Sequence, residues 1–109
     1  MAGGSETIAA HTNSFAIGRK LQTVSANSGV IGQYNALIDN PNNDWAKRAV
    51  LVAGNGSNED NRSNGHIWYM NGNAWHSGSV TAKKMILTGN YGKTLPSSGV
   101  EGEIFFLEN

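Results

Sequence analysis

Asn13-Ser14-Phe15-Ala16-Ile17-Gly18 and Asn27-Ser28-Gly29-Val30-Ile31-Gly32 carry one phrase twice, fourteen residues apart, with four of six positions identical. Fourteen residues are too few for a helical hairpin but suit one coil of a β-solenoid, with two short strands and two turns. Repetition at a fixed short period marks stacked architectures, whose units bury their apolar faces only against neighbours. The phrase therefore predicts a rigid structural rod or appendage instead of a pocket enzyme.

Working outward, Phe15-Ala16-Ile17 and Val30-Ile31 are short β-prone runs, each closed by a glycine suited to a tight turn. Gly4 lies fourteen residues before Gly18, which predicts an incomplete first coil. Thr23-Val24-Ser25 reads as the second strand of one coil, and Asn35-Ala36-Leu37-Ile38 begins the next. Asn and Ser at equivalent turn positions can hydrogen-bond neighbouring backbone and stack into ladders. Asp39-Asn40-Pro41-Asn42-Asn43-Asp44 then interrupts the pattern as a loop, with one turn of helix near Asn43–Arg48. Ala49-Val50-Leu51-Val52-Ala53-Gly54 resumes an apolar strand, 22 residues separating Gly32 from Gly54, which is one period plus an insertion of 8. The insertion is expected to protrude and to carry Trp45.

Residues 54–65 hold no apolar side chain and predict an exposed, mobile loop. His66-Ile67-Trp68-Tyr69-Met70 and Asn73-Ala74-Trp75-His76 follow, flanking Asn71-Gly72, a dipeptide suited to a type I′ hairpin turn. A two-residue turn sets Trp68 opposite Trp75 and Ile67 opposite His76, a cross-strand aromatic pair contributing roughly 0.2–1 kcal/mol. Ser79-Val80-Thr81-Ala82, Met85-Ile86-Leu87-Thr88 and Glu103-Ile104-Phe105-Phe106-Leu107 read as further strands, with turns at Asn90-Tyr91-Gly92 and Pro96-Ser97-Ser98-Gly99. No segment sustains a helical period. The fold class is all-β: a β-roll-like repeat region over residues 1–56, then β-hairpins over 57–109, in a single structural unit.

Composition agrees. The 109 residues suit one domain, with 8 basic and 8 acidic side chains and a formal net charge of zero. Nucleic-acid binding wants a clustered basic face, whereas Arg19-Lys20, Lys47-Arg48 and Lys83-Lys84 are isolated pairs, so no nucleic-acid partner is expected. Cysteine is absent, which removes disulfides, thiol chemistry and Cys-based zinc sites. No stretch approaches the roughly 20 apolar residues that span a bilayer. The opening Met1-Ala2-Gly3-Gly4-Ser5 lacks the basic and apolar regions of a signal peptide, so synthesis in a cytoplasm is expected. A chain this small without staples draws missing burial from partner subunits.

The Asn-Ser-x-apolar-Ile-Gly repeat resembles the head domain of trimeric autotransporter adhesins, left-handed parallel β-rolls of fourteen-residue Asn-Ser-x-Ala-x-Gly repeats with three chains about one axis. The match covers roughly residues 4–56; Ser14, Ala16 and Gly18 fit it, and Val30 replaces the Ala in the second copy. The remainder is similar to a module of bacteriophage fibres and appendages. Its matching phrases are Val52-Ala53-Gly54-Asn55-Gly56, Arg62-Ser63-Asn64, Met70-Asn71-Gly72-Asn73 and Gly78-Ser79-Val80. Gly65, where that family usually has Ala, and the aromatic Trp68-Tyr69 depart from it. Leu95-Pro96-Ser97-Ser98-Gly99 and Gly102-Glu103-Ile104-Phe105-Phe106 also resemble C-terminal phrases of phage structural proteins. The resemblance implies an intertwined homotrimer on a virion, made in the host cytoplasm and attached to other virion proteins (capsid, neck or tail).

In that assembly Ile17, Ile31, Val52 and Trp68 are the expected oligomer core. Trp45, Tyr69 and Trp75 are the candidate platforms for a host-surface glycan. A receptor-binding tip, an adhesin head fragment and a polysaccharide depolymerase are the alternatives. The acids Glu6, Asp39, Asp44, Glu59, Asp60, Glu101, Glu103 and Glu108 lie in expected loops and ends, with no insertion to build a hydrolase cleft. Gly54-Asn55-Gly56-Ser57-Asn58 is neither a nucleophile elbow nor a phosphate loop. No catalytic residue, cofactor or metal is therefore assigned. His66 and His76 are expected to point to opposite sides of their hairpin, which disfavours a shared metal, and His11 reads as structural. Two acidic loop clusters, around Asp39, Asn43 and Asp44 and around Asn58, Glu59 and Asp60, lack calcium-loop spacing and read as turn chemistry.

Overall fold

The computed structural model describes residues 1–89, 91–92, 103–104 and 106–107. It is all-β: six strands form one sheet, and among the described residues the only helix is a 3₁₀ turn, Trp45–Lys47. The strands are β1 (Ala2–Ser5), β2 (Phe15–Arg19), β3 (Gly29–Gln33), β4 (Ala49–Asn55), β5 (Asn64–Tyr69) and β6 (Ala74–His76), and they lie in the sheet in chain order. A two-residue parallel pair, β7 (Tyr91–Gly92) with β8 (Phe106–Leu107), stands apart from it. The large sheet runs without a break across residue 56.

The first four strands are parallel. Ala2 pairs Ala16 and Ala16 pairs Val30, each step fourteen residues, while Val30 pairs Val52 across the inserted loop. Backbone angles keep the same spacing. Left-handed φ values occur at Glu6, Lys20 and Tyr34, at Asn13 and Asn27, and at Gly4, Gly18 and Gly32. Asn tolerates this region, whereas for Lys and Tyr it costs roughly 1–2 kcal/mol. The register of the turns, not local preference, therefore fixes those residues. At Gly18 and Gly32 a Cβ would run into the carbonyl of the next glycine in the column, Gly32 and Gly54 respectively.

Alternation along the strands assigns the two faces. The inner row Ala16, Val30, Val52 and Ile67 is in register and buried. Leu21 and Ala49 complete the core, and the half-buried Val24, Ile38 and Tyr69 pack against it. The returning segments are held by a parallel bridge between Ile8 and Gln22, through Ile8 N–H to the Leu21 carbonyl and Thr23 N–H to the Ile8 carbonyl. Beyond that bridge, side chains replace backbone. The buried Asn35 amide accepts from Gln22 N–H and donates to the Gln22 carbonyl, both at 2.9 Å. Asn64 does the same for Ala36, again at 2.9 Å twice. Asn13 Nδ2 donates to Asn27 Oδ1 at 3.1 Å, one rung of an asparagine ladder between equivalent turns.

Four expectations are corrected. Residues 57–63 are exposed as expected, but the 54–65 segment is tied down: Ser63 N–H donates to the Tyr34 carbonyl, Arg62 Nη1 donates to the carbonyls of Lys20 and Asn35, and β5 begins at the buried Asn64. The expected strands at 79–82 and 85–88 do not form, and Val80, Met85 and Ile86 are exposed there. The 96–99 turn lies outside the described residues. The hairpin between β5 and β6 closes through three residues instead of two: Tyr69 N–H donates to the Asn73 carbonyl, and Gly72 N–H donates to the Tyr69 carbonyl. Gly72 takes a left-handed φ of 91°, the arrangement of a type I turn followed by a glycine bulge. The register is therefore one residue away from that of a two-residue turn. Trp68 faces Ala74, Ile67 faces Trp75 and His66 faces His76, so Trp68 and Trp75 lie on opposite faces of the sheet.

Candidate functional site

The outer face of the sheet carries two cross-strand rows. One runs Phe15, Gly29, Leu51, Trp68, Ala74; the other runs Gly3, Ile17, Ile31, Ala53, His66, His76. The Phe15 ring lies over Gly29, where any side chain would displace it. Ile17, Ile31 and Trp68 remain 46, 42 and 48% exposed, so the face is apolar and uncovered within one chain. Surface apolar residues scattered singly are ordinary, but a contiguous apolar patch marks an interaction surface.

Ile17, Ile31 and Trp68 thus share one exposed face. Val52 does not belong with them. It is fully buried on the inner face, and Ala53 is the residue in register with Ile31. Counting fourteen residues plus the insertion from Gly32 aligns Gly54, which places Ala53, not Val52, in the outer row. Trp68 is exposed in the chain, with its sheet neighbours Leu51 and Ala74 on either side.

The three candidate glycan platforms are not brought together on one element. Trp45 opens the 3₁₀ turn and is 60% exposed. Tyr69, at the end of β5, is half-buried against the core. Trp75 extends the inner row at the β6 edge and is exposed. The loop before Trp45 is built by Asn40, whose side chain donates to the Asp44 carbonyl and accepts from Asp44 N–H. A cleft of about 350 Å³ lies beside it, lined by His11, Ser25, Asn40, Asn43 and Lys47 over Val24, Ile38 and Ala49. Much of its polar lining is engaged within the fold: His11 Nδ1 is 2.9 Å from Thr23 Oγ1, and Asn43 Oδ1 accepts from Arg48 Nε.

Glu6 and Lys20, at left-handed positions fourteen residues apart, carry opposite charges. Lys20 is bracketed by Glu6 and by Glu59, the latter at 2.9 Å. A hydrogen bond from Lys20 and its charge lower the Glu59 pKa. Arg19 and Arg62 each place a guanidinium 5.7 Å from the centre of the Tyr34 ring. Asn58 Oδ1 accepts from Asp60 N–H and from Asn61 Nδ2, which is turn chemistry. Among the described residues no three His, Asp or Glu side chains gather as a metal cluster.

The hairpin histidines are the residues that sequence reasoning misplaced. His66 and His76 stand on the same face, with ring centres 4.5 Å apart and Nδ1 atoms 3.4 Å apart. The signal that locates them is glycine at the fourth position of Tyr69-Met70-Asn71-Gly72, which favours a type I turn and hence the three-residue loop. The chain matches no family model, no curated protein sequence and no solved structure.

Proposed function

We propose that this chain is a non-enzymatic structural subunit of a bacteriophage virion, a trimeric fibre or a capsid or tail appendage. Its first half is a short β-roll, and three chains bury the outer faces of their sheets against one another. The observation that carries the assembly is the uncovered apolar face of Phe15, Ile17, Ile31, Leu51 and Trp68, on a chain whose own core is small. Parallel strands offset by fourteen residues, with backbone angles repeating at that spacing, support the roll. The virion assignment draws on the fibre-like phrases of the C-terminal half. Trp45, exposed on the inserted loop, supports a second role in touching a host-surface glycan.

Absolute mass by light scattering on a sizing column, across a dilution series, tests the assembly. The expected result is three chains per particle independent of concentration, reduced to one by Ile17→Glu with Ile31→Glu. A parent chain that remains a folded monomer at micromolar concentration refutes it.

A further inference from the structure

We propose that His66 and His76 form a two-imidazole chelate for a divalent d-block cation of the zinc class. Both side chains belong to one chain and stand opposite each other on β5 and β6. Ladder bonds lie one pair away on one side, Ser77 N–H to the Gly65 carbonyl, and three pairs away on the other, Tyr69 N–H to the Asn73 carbonyl. By alternation His66 and His76 occupy a non-hydrogen-bonded pair, where Cα atoms approach to about 4.5 Å and side chains come closest.

Bite distance points to the metal class. A tetrahedral zinc held by two nitrogens at about 2.0–2.1 Å sets those nitrogens about 3.3–3.4 Å apart. The two Nδ1 atoms are 3.4 Å apart. In the metal-free pair, one Nδ1 carries the proton shared with the other. On binding, both rings present Nδ1 lone pairs to the cation, and that proton moves to Nε2 of the same ring. Each Nε2 then carries the ring's proton, and water completes the coordination. Imidazole donors suit zinc, nickel and copper(II), whereas calcium and magnesium want oxygen.

The mount is stiff on one side. β5 is held between β4 and β6, with Ile67 anchored in the core beside His66. His76 lies on β6 at the edge of the large sheet and is exposed, which gives a cation a way in. One chain supplies both donors, but His66 and His76 lie in the same outer row as Ile17 and Ile31, so the assembly proposed above brings neighbouring chains against the face that carries them. Zinc titration is therefore run on the parent chain and on the Ile17→Glu, Ile31→Glu chain: a monomeric parent refutes the trimer alone, and absence of zinc binding by the folded monomeric variant refutes the chelate alone.

The test is calorimetric titration of the whole chain with zinc chloride in a non-chelating buffer, beside imidazole resonances followed by NMR. One zinc per chain is expected, with shifts at His66 and His76 and none at His11, and with a raised melting temperature because the unfolded chain lacks the preformed pair. His66→Gln and His76→Gln should each weaken binding by at least about tenfold, while His11→Gln leaves it unchanged. The resonance shifts on the parent chain answer the question even if a variant folds poorly. No saturable binding up to millimolar zinc, binding as tight as the parent's in either glutamine variant, or an equal response to calcium overturns the chelate.

Discussion

Gly32→Ala is expected to unstack the sheet between β3 and β4. Gly32 has a φ of +96°, and an added Cβ would overlap the Gly54 carbonyl oxygen and sit 3.2 Å from its carbon and 3.3 Å from the Gly54 nitrogen. All three obstacles are backbone, so no side-chain rotation relieves them. The left-handed conformation alone costs about 1–3 kcal/mol for a residue with a Cβ. Parting the strands far enough to clear the carbonyl sacrifices one or two ladder hydrogen bonds, at about 0.5–1.5 kcal/mol each. The expected loss is therefore about 2–6 kcal/mol, a large share of the stability of a small domain. At roughly 4–8 °C per kcal/mol, the melting temperature falls on the order of 10–50 °C.

Two other glycines separate the contributions. Gly72 has a φ of +91° with nothing within 4 Å of an added Cβ, so Gly72→Ala reports backbone strain alone, about 1–3 kcal/mol. Gly78 has open space and no left-handed φ, so Gly78→Ala leaves the melting temperature unchanged or slightly raised. Thermal melts by circular dichroism, at one fixed chain concentration, measure all three. If Gly32→Ala melts no lower than Gly72→Ala, close stacking of the glycine column is refuted.

Asn35→Ala strips the partners from Gln22 N–H and from the Gln22 carbonyl and should cost about 2–4 kcal/mol in urea unfolding. Asn35→Asp keeps the acceptor but sets a buried carboxylate against the Gln22 carbonyl, which raises its folded pKa. That variant should be most stable below the unfolded value of about 3.9 and lose stability as pH rises through the raised folded value, a trend absent from Asn35→Ala. Glu59 runs the opposite way, because Lys20 lowers its pKa. Its contribution is full above its ordinary value of 4.5 and is lost as pH falls through the lowered folded value. Melts at descending pH should show Glu59→Gln losing less than the parent, with the difference shrinking in high salt.

Much of the strand order was legible in the chain. The paired Asn-Ser-x-apolar-Ile-Gly phrases located β2 and β3, Gly54 located β4, and the aromatic run before Asn71-Gly72 located the hairpin. Burial inside that frame was less legible. Asn35 read as the opening residue of a strand and Asn64 as part of an exposed loop, and neither pattern marked an asparagine for burial. They are buried because each amide offers one donor and one acceptor with the spacing of a peptide group, and so can replace a strand. Val80, Met85 and Ile86 read as strand residues on local preference, yet the segment pairs with nothing in the sheet. Strands form where a partner ladder exists, and apolar character alone supplies none.

The residue pattern was enough to set the period, the strand class and the glycine positions where tight turns recur, since these depend on residues near one another in the chain, whereas the left-handed Glu6, Lys20 and Tyr34 were set by the stacking. The tertiary structure alone decided which side chains share a face. A β-strand alternates every residue, so one residue of uncertainty reverses every assignment beyond it. The hairpin loop of three residues put His66 beside His76 and sent Trp68 and Trp75 to opposite sides. The count across the inserted loop turned Val52 into the core and left Ile17 and Ile31 outside. Those single-residue differences are set where hydrogen bonds close the register: locally at the Tyr69–Asn73 turn, where Gly72 carries the signal, and between distant segments where β3 meets β4 across the inserted loop.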